Sequence, residues 1–465
     1  MNAYQRIANS NLTAVEIAGL CNAICLRPNG RTITSVELDS RQCGNGSLFF
    51  ALKGEKTDGS AFLSDVDAKQ AAAVVVSEEH VAKALSSFSG SVLVVKNVKE
   101  SLHALAKSYA KRYGQVTNIG VTGSCGKSTT KEAIAKIASV LGPTAKTPGN
   151  LNSEYGLPLS MFALDGQTRY GVFEMGIDHV GEMDRMVDML QPSIALVTNI
   201  GLSHVEKMGS PRIIAEQKAR IFHSGLQAGF VSEACHYQQV LQKQARMPLI
   251  RYALSDIQAR DLGLQGWEIT YQGIQFRVRS VGRHLLEDVV GAIKVGQYLG
   301  ADREQIATAL EGFEPMDGRS FVHQSKVTIV DDSYNANPDS TTSILNYLSS
   351  LSWRGTKKVV LGPMKELGSL SPQAHRKVGM TLAATSFQKA YLYGREMEET
   401  ARNLRRYGYR GHVVYTKDFE ELEHVVHAQT REGDLFLLKA SRSVAMERLI
   451  PSIRSATDRR RVHYA

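Results

Sequence analysis

The sequence predicts an α/β protein of three domains, and three observations predict it. Its 465 residues exceed what one hydrophobic core organises, since domains run to roughly 100–200 residues. Short apolar runs alternate with helical patterns, the signature of parallel strands joined by crossover helices. One glycine-rich loop, carrying Lys127 and Ser128, stands between such a run and such a helical pattern. The chain divides into regions 1–98, 99–318 and 319–465, with no internal repeat and no low-complexity segment.

The first region carries strand-like runs at Ser47–Leu52, Ala72–Val76 and Ser91–Val95, separated by turn residues such as Lys56-Thr57-Asp58-Gly59. The second opens on a helical pattern, Leu102, Leu105, Ala106, Tyr109 and Ala110, and continues through strands at Val116–Thr122, Tyr170–Glu174 and Ser193–Thr198. A mostly parallel sheet follows from that alternation. The third starts near Met316-Asp317-Gly318-Arg319 and repeats it at Val327–Val330, Lys358–Leu361, Ala390–Tyr393 and Asp434–Leu438.

Composition excludes several classes. Hydrophobic residues make up 43% and charged residues 22%, ordinary for a globular enzyme and not for a disordered or fibrous chain. The net charge of +9 suits anionic small molecules. Nucleic acid is not expected, because the basic residues are dispersed and the one tight run, Arg459-Arg460-Arg461, reads as a solvated tail. No apolar stretch approaches the ~20 residues of a membrane helix, so no membrane insertion is expected. The N-terminal Met1–Arg6 lacks a secretory pattern. The five cysteines, Cys21, Cys25, Cys43, Cys125 and Cys235, are odd in number and form no CxxC pair, which argues against a disulfide framework or a zinc knuckle. Cys21 and Cys25 could share a helix face as buried thiols. The expected compartment is the cytoplasm, and the expected state a monomer.

The most informative segment is Gly123-Ser124-Cys125-Gly126-Lys127-Ser128-Thr129. Val116–Thr122 reads as a buried strand and Lys127–Leu141 as a helix with Ala133, Ile134, Ile137 and Val140 or Leu141 inward. A phosphate needs close backbone approach, which Gly123 and Gly126 permit, and N–H groups converging at a helix N-terminus. Lys127 supplies positive charge to the outer phosphates of ATP, and the Ser128 hydroxyl can ligate Mg²⁺. Val121 stands where the common GxxxxGK[ST] spacing has its first glycine. A kinase, GTPase, ATPase or ligase could own such a loop, but no NKxD run supports a GTPase. Downstream, Glu174 closes one strand and His204 follows another, positions where open parallel sheets place sites. Glu174 is a hard-oxygen ligand for Mg²⁺. Taken alone, His204 reads as structural and Lys218 as a solvated helix charge.

The order of Thr122–Thr129, Gly149-Asn-Leu-Asn152, Phe173-Glu-Met-Gly176, Gly181-Glu182, Thr198-Asn199 with His204, and Lys218 resembles that of the Mur ligases. In the third region, Asp331-Asp-Ser-Tyr-Asn-Ala-Asn-Pro-Asp-Ser340, Leu361–Gly368 with His375, and Lys439-Ala-Ser-Arg442 resemble the branch that adds D-alanyl-D-alanine to UDP-N-acetylmuramoyl-tripeptide. The first region agrees through Asp39-Ser40-Arg41 and Phe49–Gly54. The resemblance implies a UDP-sugar-binding α/β domain, a central P-loop ATPase domain and a C-terminal Rossmann-like domain. It also implies amide synthesis through an acyl phosphate, with ATP and Mg²⁺. On it, Ser128, Glu174 and His204 would be metal ligands and Lys218 the lysine that becomes carbamylated. Arg319, Asn335 and Asn337 would lie at the nucleotide, and Ser40 and Arg41 at the UDP moiety. The third peptide residue stays open among diaminopimelate, lysine and ornithine.

The chain departs from the family pattern in places. The family's His-Asn…Asn stretch is here His284-Leu285-Leu-Glu-Asp288, and leucine cannot make an asparagine's amide contacts, so the adenine side should differ. Pro363 stands for a usual aspartate, Ala440 for a glycine and Ser153 for an asparagine. Related readings are the ligase adding the third peptide residue, whose DNPR motif is absent here, and a folylpolyglutamate synthase, which lacks the first region. A reading of another class is a nucleotide-dependent switch without amide synthesis.

Overall fold

The computed structural model describes residues 7, 12–54 and 56–458. Met1–Arg6 and the Arg459-Arg460-Arg461 run lie outside the described residues.

Four sheets organise the chain. The first contains β1 (Ile24–Leu26), β2 (Ser35–Glu37), β3 (Ser47–Phe50), β4 (Ala73–Ser77) and β5 (Ser91–Val95), in the order β1-β5-β4-β3-β2. Only β1 runs antiparallel to its neighbour in it. The second contains β6 (Thr117–Thr122), β7 (Thr144–Lys146), β8 (Tyr170–Glu174), β9 (Ile194–Val197), β10 (Ala228–Ser232) and β11 (Ile250–Tyr252). Its order is β11-β10-β9-β6-β8-β7 and every pairing is parallel.

A third sheet, antiparallel, joins β12 (Gln258–Asp261), β13 (Trp267–Tyr271) and β14 (Ile274–Val278). The fourth holds β15 (Phe321–Gln324), β16 (Thr328–Asp331), β17 (Lys357–Leu361), β18 (Lys389–Tyr393), β19 (His412–Thr416) and β20 (Leu435–Lys439), ordered β15-β16-β20-β17-β18-β19. It is parallel except for β15. The expected α/β class with parallel sheets is what the chain adopts.

Helices cover both faces of the parallel sheets, so their inner strands are buried in continuous runs instead of alternating. Every residue of β8, β17 and β20 is buried. β17 nonetheless begins with two lysines. Lys358 survives burial by pairing with Asp434 and donating to the Gln429 carbonyl at 2.6 Å, and Lys357 donates to the Ser349 carbonyl at 2.9 Å.

The helix Val98–Lys111, capped by Asn97, buries Leu102, Leu105, Ala106 and Tyr109, as its spacing predicts. It packs on the helix Ala14–Cys21 below one sheet and on Gly156–Met161 and Glu182–Leu190 of the next, and so joins the two.

One reading needs correction. Cys21 ends the helix Ala14–Cys21 and Cys25 lies in β1, because Asn22 adopts a left-handed conformation (φ 57°) that stops the helix between them. Cys25 is also only half-buried. At the end of the helix Lys127–Leu141, Val140 faces solvent while the half-buried Leu141 packs on the core. The antiparallel sheet β12–β14 was not anticipated: β12 is exposed along its whole length and offers no apolar run.

Candidate active site

Every loop that matters leaves the C-terminal end of a parallel strand. The phosphate loop follows β6, Glu174 ends β8, His204 follows β9, Asp332–Asn337 follow β16, Lys365 and Glu366 follow β17, and Ser441 and Arg442 follow β20. The second and fourth sheets present these ends to one another, and the Ser40–Gln42 turn of the first sheet's domain completes a cleft of about 1560 Å³. Ser40, Arg41, Ser124, Cys125, Gly126, Lys127, Thr129, Glu174, His204, Arg319, Asn335 and Asn337 all line it. Gly123, Ser128 and Lys218 lie buried behind its wall.

The phosphate loop is built for close approach. Gly123 (φ 151°) and Gly126 (φ 80°) take conformations open to glycine, and a Cβ on either would collide with Thr198 or Asp288 respectively. Asn199 shapes the loop from β9, accepting from the Ser124 N–H at 2.9 Å and the Cys125 N–H at 3.0 Å. Gly126 starts the helix Lys127–Leu141 with no side-chain cap, so its first-turn N–H groups remain available to an anion. Lys127 folds back to donate to the Gly123 carbonyl at 2.9 Å. Burial pulls its ammonium below the usual lysine range, while Glu174 opposes that shift.

Glu174 is fully buried and accepts from Ser128 Oγ at 2.7 Å and Asn152 Nδ2 at 2.7 Å. Its carboxylate thus meets only neutral donors, a buried negative charge without a bonded cation. A hydroxyl and a carboxylate at this separation form the hard-oxygen donor set that a Mg²⁺ ion takes, so the residues fit such an ion. His204 stands in a left-handed conformation (φ 61°) with Nδ1 2.5 Å from Glu366 Oε2. That contact holds the Glu366 carboxyl below its ordinary range.

Lys218 is not the solvated charge its helix position suggests. It is 1% exposed, and its side chain forms no hydrogen bond or ion pair among the described residues. Burial first, and the charge of Lys127 second, push its pKa well below the ordinary lysine value. The helix Pro211–Ala219 points it inward because Ile214 and Ala215 occupy the same buried face.

From the fourth sheet's side, Asn337 caps the helix Pro338–Ser350 by accepting from the Ser340 N–H at 2.9 Å. Its Nδ2 donates to Cys125 Sγ at 2.6 Å and to Ser203 Oγ at 3.3 Å, which links that helix directly to the phosphate loop. The Asn335 side chain accepts from the Ala336 N–H at 2.8 Å. The Arg319 guanidinium lies 4.0 Å from the Tyr334 ring centroid, between Gly318 (φ 76°) and Ser320 (φ 54°). In the first domain, Ser40 is buried, whereas Arg41 reaches into solvent and pairs with Asp39 at 2.6 Å.

Several lining residues escaped sequence reasoning. Asp332 and Lys439 form a buried pair at 2.5 Å, Asn152 bonds Glu174, and Lys365 and Glu366 come from the fourth sheet. All stand inside or beside the quoted motif runs, so proximity to those runs is the signal that could have found them. On the side where the family pattern breaks, His284 and Leu285 line the cleft and Asp288 is buried against Gly126. Burial pushes the Asp288 carboxyl up to about 8 and the His284 imidazole down to about 4.

Comparison with known proteins matches this geometry along the chain. Residues 32–110 match the model of the Mur ligase family catalytic domain, 121–296 the Mur ligase middle domain and 318–442 the Mur ligase glutamate ligase domain. A UDP-N-acetylmuramoyl-tripeptide–D-alanyl-D-alanine ligase of Treponema pallidum is 34% identical, over 95% of this chain and 97% of its own.

The chain belongs to the Mur ligase family.

The Bacillus subtilis enzyme of the same name is 31% identical over 90% and 93% of the two chains. Among solved structures, a Mur ligase termed MurF from Acinetobacter baumannii superposes with a TM-score of 0.85 at 26% identity, covering 96% of this chain and 99% of that one. A MurF ligase of Thermotoga maritima in complex with ADP gives 0.77 at 25% identity, over 91% and 98%. The three-domain Mur ligase fold accounts for the three parallel-rich sheets meeting at one cleft.

Proposed function

We propose that this chain is an ATP-dependent carboxylate–amine ligase that joins D-alanyl-D-alanine to UDP-N-acetylmuramoyl-tripeptide, yielding the UDP-muramoyl-pentapeptide precursor of peptidoglycan. The observation that carries this reading is the single cleft in which the phosphate loop, the Asn335–Asn337 run and the Ser40–Arg41 turn face one another. One site of that span can hold a nucleotide, a nucleotide-linked peptide and an amine together.

The terminal carboxylate of the tripeptide attacks the γ-phosphorus of ATP. The bond from that phosphorus to the β–γ bridging oxygen breaks, and ADP leaves with its electrons. The acyl phosphate then accepts the dipeptide amine at its carbonyl carbon. The tetrahedral intermediate expels inorganic phosphate, and the amine proton passes to solvent or a base. A carboxylate resists amine attack until it carries such a leaving group, which is why ATP is spent.

In this reading Lys127 faces the charge that builds on the transferring phosphoryl group. Ser128, Glu174 and His204 would hold the divalent ions, whose charge offsets repulsion between carboxylate and triphosphate. Lys218 supports the family's carbamate chemistry, because burial lowers its pKa and so favours the neutral amine, the form that adds carbon dioxide, releasing a proton. Arg319, Asn335 and Asn337 would bound the nucleotide, and Ser40 and Arg41 the uridine diphosphate. The working division of the chain is 1–98 for the UDP-sugar, 99–318 for ATP and 319–465 for the closing Rossmann-like domain.

The five cysteines are all free, which suits the reducing cytoplasm as the compartment. No helix among the described residues is long and apolar enough to cross a membrane. We take a monomer as the acting unit, because residues from all three domains of one chain line the cleft.

The test is phosphate release from ATP. It should require both UDP-muramoyl-tripeptide and D-alanyl-D-alanine and match pentapeptide formation one to one. Release with neither acceptor present would favour a nucleotide-dependent switch instead.

A further inference from the structure

Glu366 and His204 belong to different sheets, one following β17 and the other β9, and they meet across the cleft. The contact is made by two strained backbones. His204 has φ 61° and Glu366 has φ 62°, a region that residues with a Cβ avoid. The segments also interlock, since the Glu206 N–H donates to the Glu366 carbonyl at 3.1 Å and Gly368 (φ 50°) closes against Glu206. Packing does not require this arrangement, because the Glu366 side chain is 44% exposed. Strain held on both sides of one contact points to a role for the contact itself.

The imidazole is asymmetric in its surroundings. Nδ1 is buried in an ion-pair contact 2.5 Å from Glu366 Oε2 and has no other partner among the described residues, yet the ring lines the cleft and keeps 27% of its side-chain surface. Nε2 is the nitrogen left for the cleft, and it forms no hydrogen bond among the described residues. A carboxylate at one ring nitrogen fixes the tautomer and frees the other as a lone-pair donor. Lys207 beside it is held by Asp178 at 2.5 Å and does not displace it from Glu366.

We propose that Glu366 is a positioning residue for the ligase reaction: it reaches across the cleft from the loop after β17 to hold His204 through Nδ1, so that Nε2 is presented to a divalent ion. This rests on reading His204 as an ion ligand.

The experiment uses the full chain and the variants Glu366→Ala and Glu366→Gln. Nitrogen-15 NMR of labelled histidine, with the His204 signal assigned through His204→Gln, reads the ring tautomer in mildly alkaline buffer without added metal. The wild type should hold the Nδ1–H form, Glu366→Ala should shift toward Nε2–H, and Glu366→Gln, whose amide oxygen still accepts, should stay close to wild type. In the ligase assay, Glu366→Ala should raise the half-saturating Mg²⁺ concentration about 10-fold or more, with Glu366→Gln in between. An unchanged His204 tautomer together with an unchanged Mg²⁺ dependence in Glu366→Ala overturns the proposal, even if turnover falls, because that pattern describes a simple latch. Absence of ligation by the wild type would count against the proposed function, while the tautomer shift would still decide the role of Glu366.

Discussion

Ser128 Oγ lies 2.7 Å from Glu174 Oε2, which fastens the first turn of the helix Lys127–Leu141 to the end of β8. The hydroxyl satisfies the carboxylate without neutralising it, so the charge is kept for a cation. Glu174→Gln should preserve the fold, because the amide keeps the size and the bond to Ser128. Ligation should fall by about 10²–10³ and the Mg²⁺ requirement should rise. Circular dichroism and phosphate release at graded Mg²⁺ would check this, and near-normal turnover would refute the assignment.

Lys127→Ala should abolish ligation while shifting the melting temperature little. The ammonium bonds only its own loop at the Gly123 carbonyl, so removing it costs few contacts in the folded state. A variant with near-normal activity would show that the loop does not act on transferring phosphate.

For Lys218→Ala a loss of at least about 10²-fold is expected, partly restored by added short carboxylic acids. The side chain is buried with no partner among the described residues, so a small acid anion could occupy the vacated space in place of a carbamate. Kinetics with and without acetate decide it: full activity in the variant would remove the carbamate idea.

Asp288 gives a pH-dependent prediction. Its carboxyl ionises near 4 in the unfolded chain and is pushed up to about 8 when buried. Between those values the unfolded chain binds fewer protons, so stability is fully present below about 4 and is lost as pH rises through about 8. Asp288→Asn removes the titration. The wild-type melting temperature should therefore decline more steeply than the variant's from acid toward pH ~8, by a few degrees. Parallel curves would show that Asp288 is already ionised in the fold.

Asn337→Ala should remove both a helix cap, worth about 1 kcal/mol, and the two bonds from the fourth sheet's side of the cleft to Cys125 and Ser203. A rise in KM for ATP that exceeds the fall in kcat is the expected signature. If KM is unchanged, the link does not act on the nucleotide.

The buried parallel strands were legible because burial on both faces writes itself as a continuous apolar run. Ser91–Val95 and Tyr170–Glu174 were read to the residue, and the helix Lys127–Leu141 from its start to its end. β12 was not legible, since an exposed strand of Gln258, Ala259, Arg260 and Asp261 carries no such run. Cys21 and Cys25 misled because helical spacing says nothing of a left-handed stop at Asn22.

By itself the sequence determined the α/β class and the phosphate loop, because both follow from local rules: strand burial, glycine at positive φ and the uncapped start of a helix. Tertiary structure alone decided that Lys218 is buried with its pKa pushed well below the ordinary lysine value, that burial against Gly126 pushes Asp288 up to about 8, and that Glu366 reaches His204. These depend on desolvation and on distances between residues far apart in the chain. Neither quantity is carried by residue type or by spacing along the sequence.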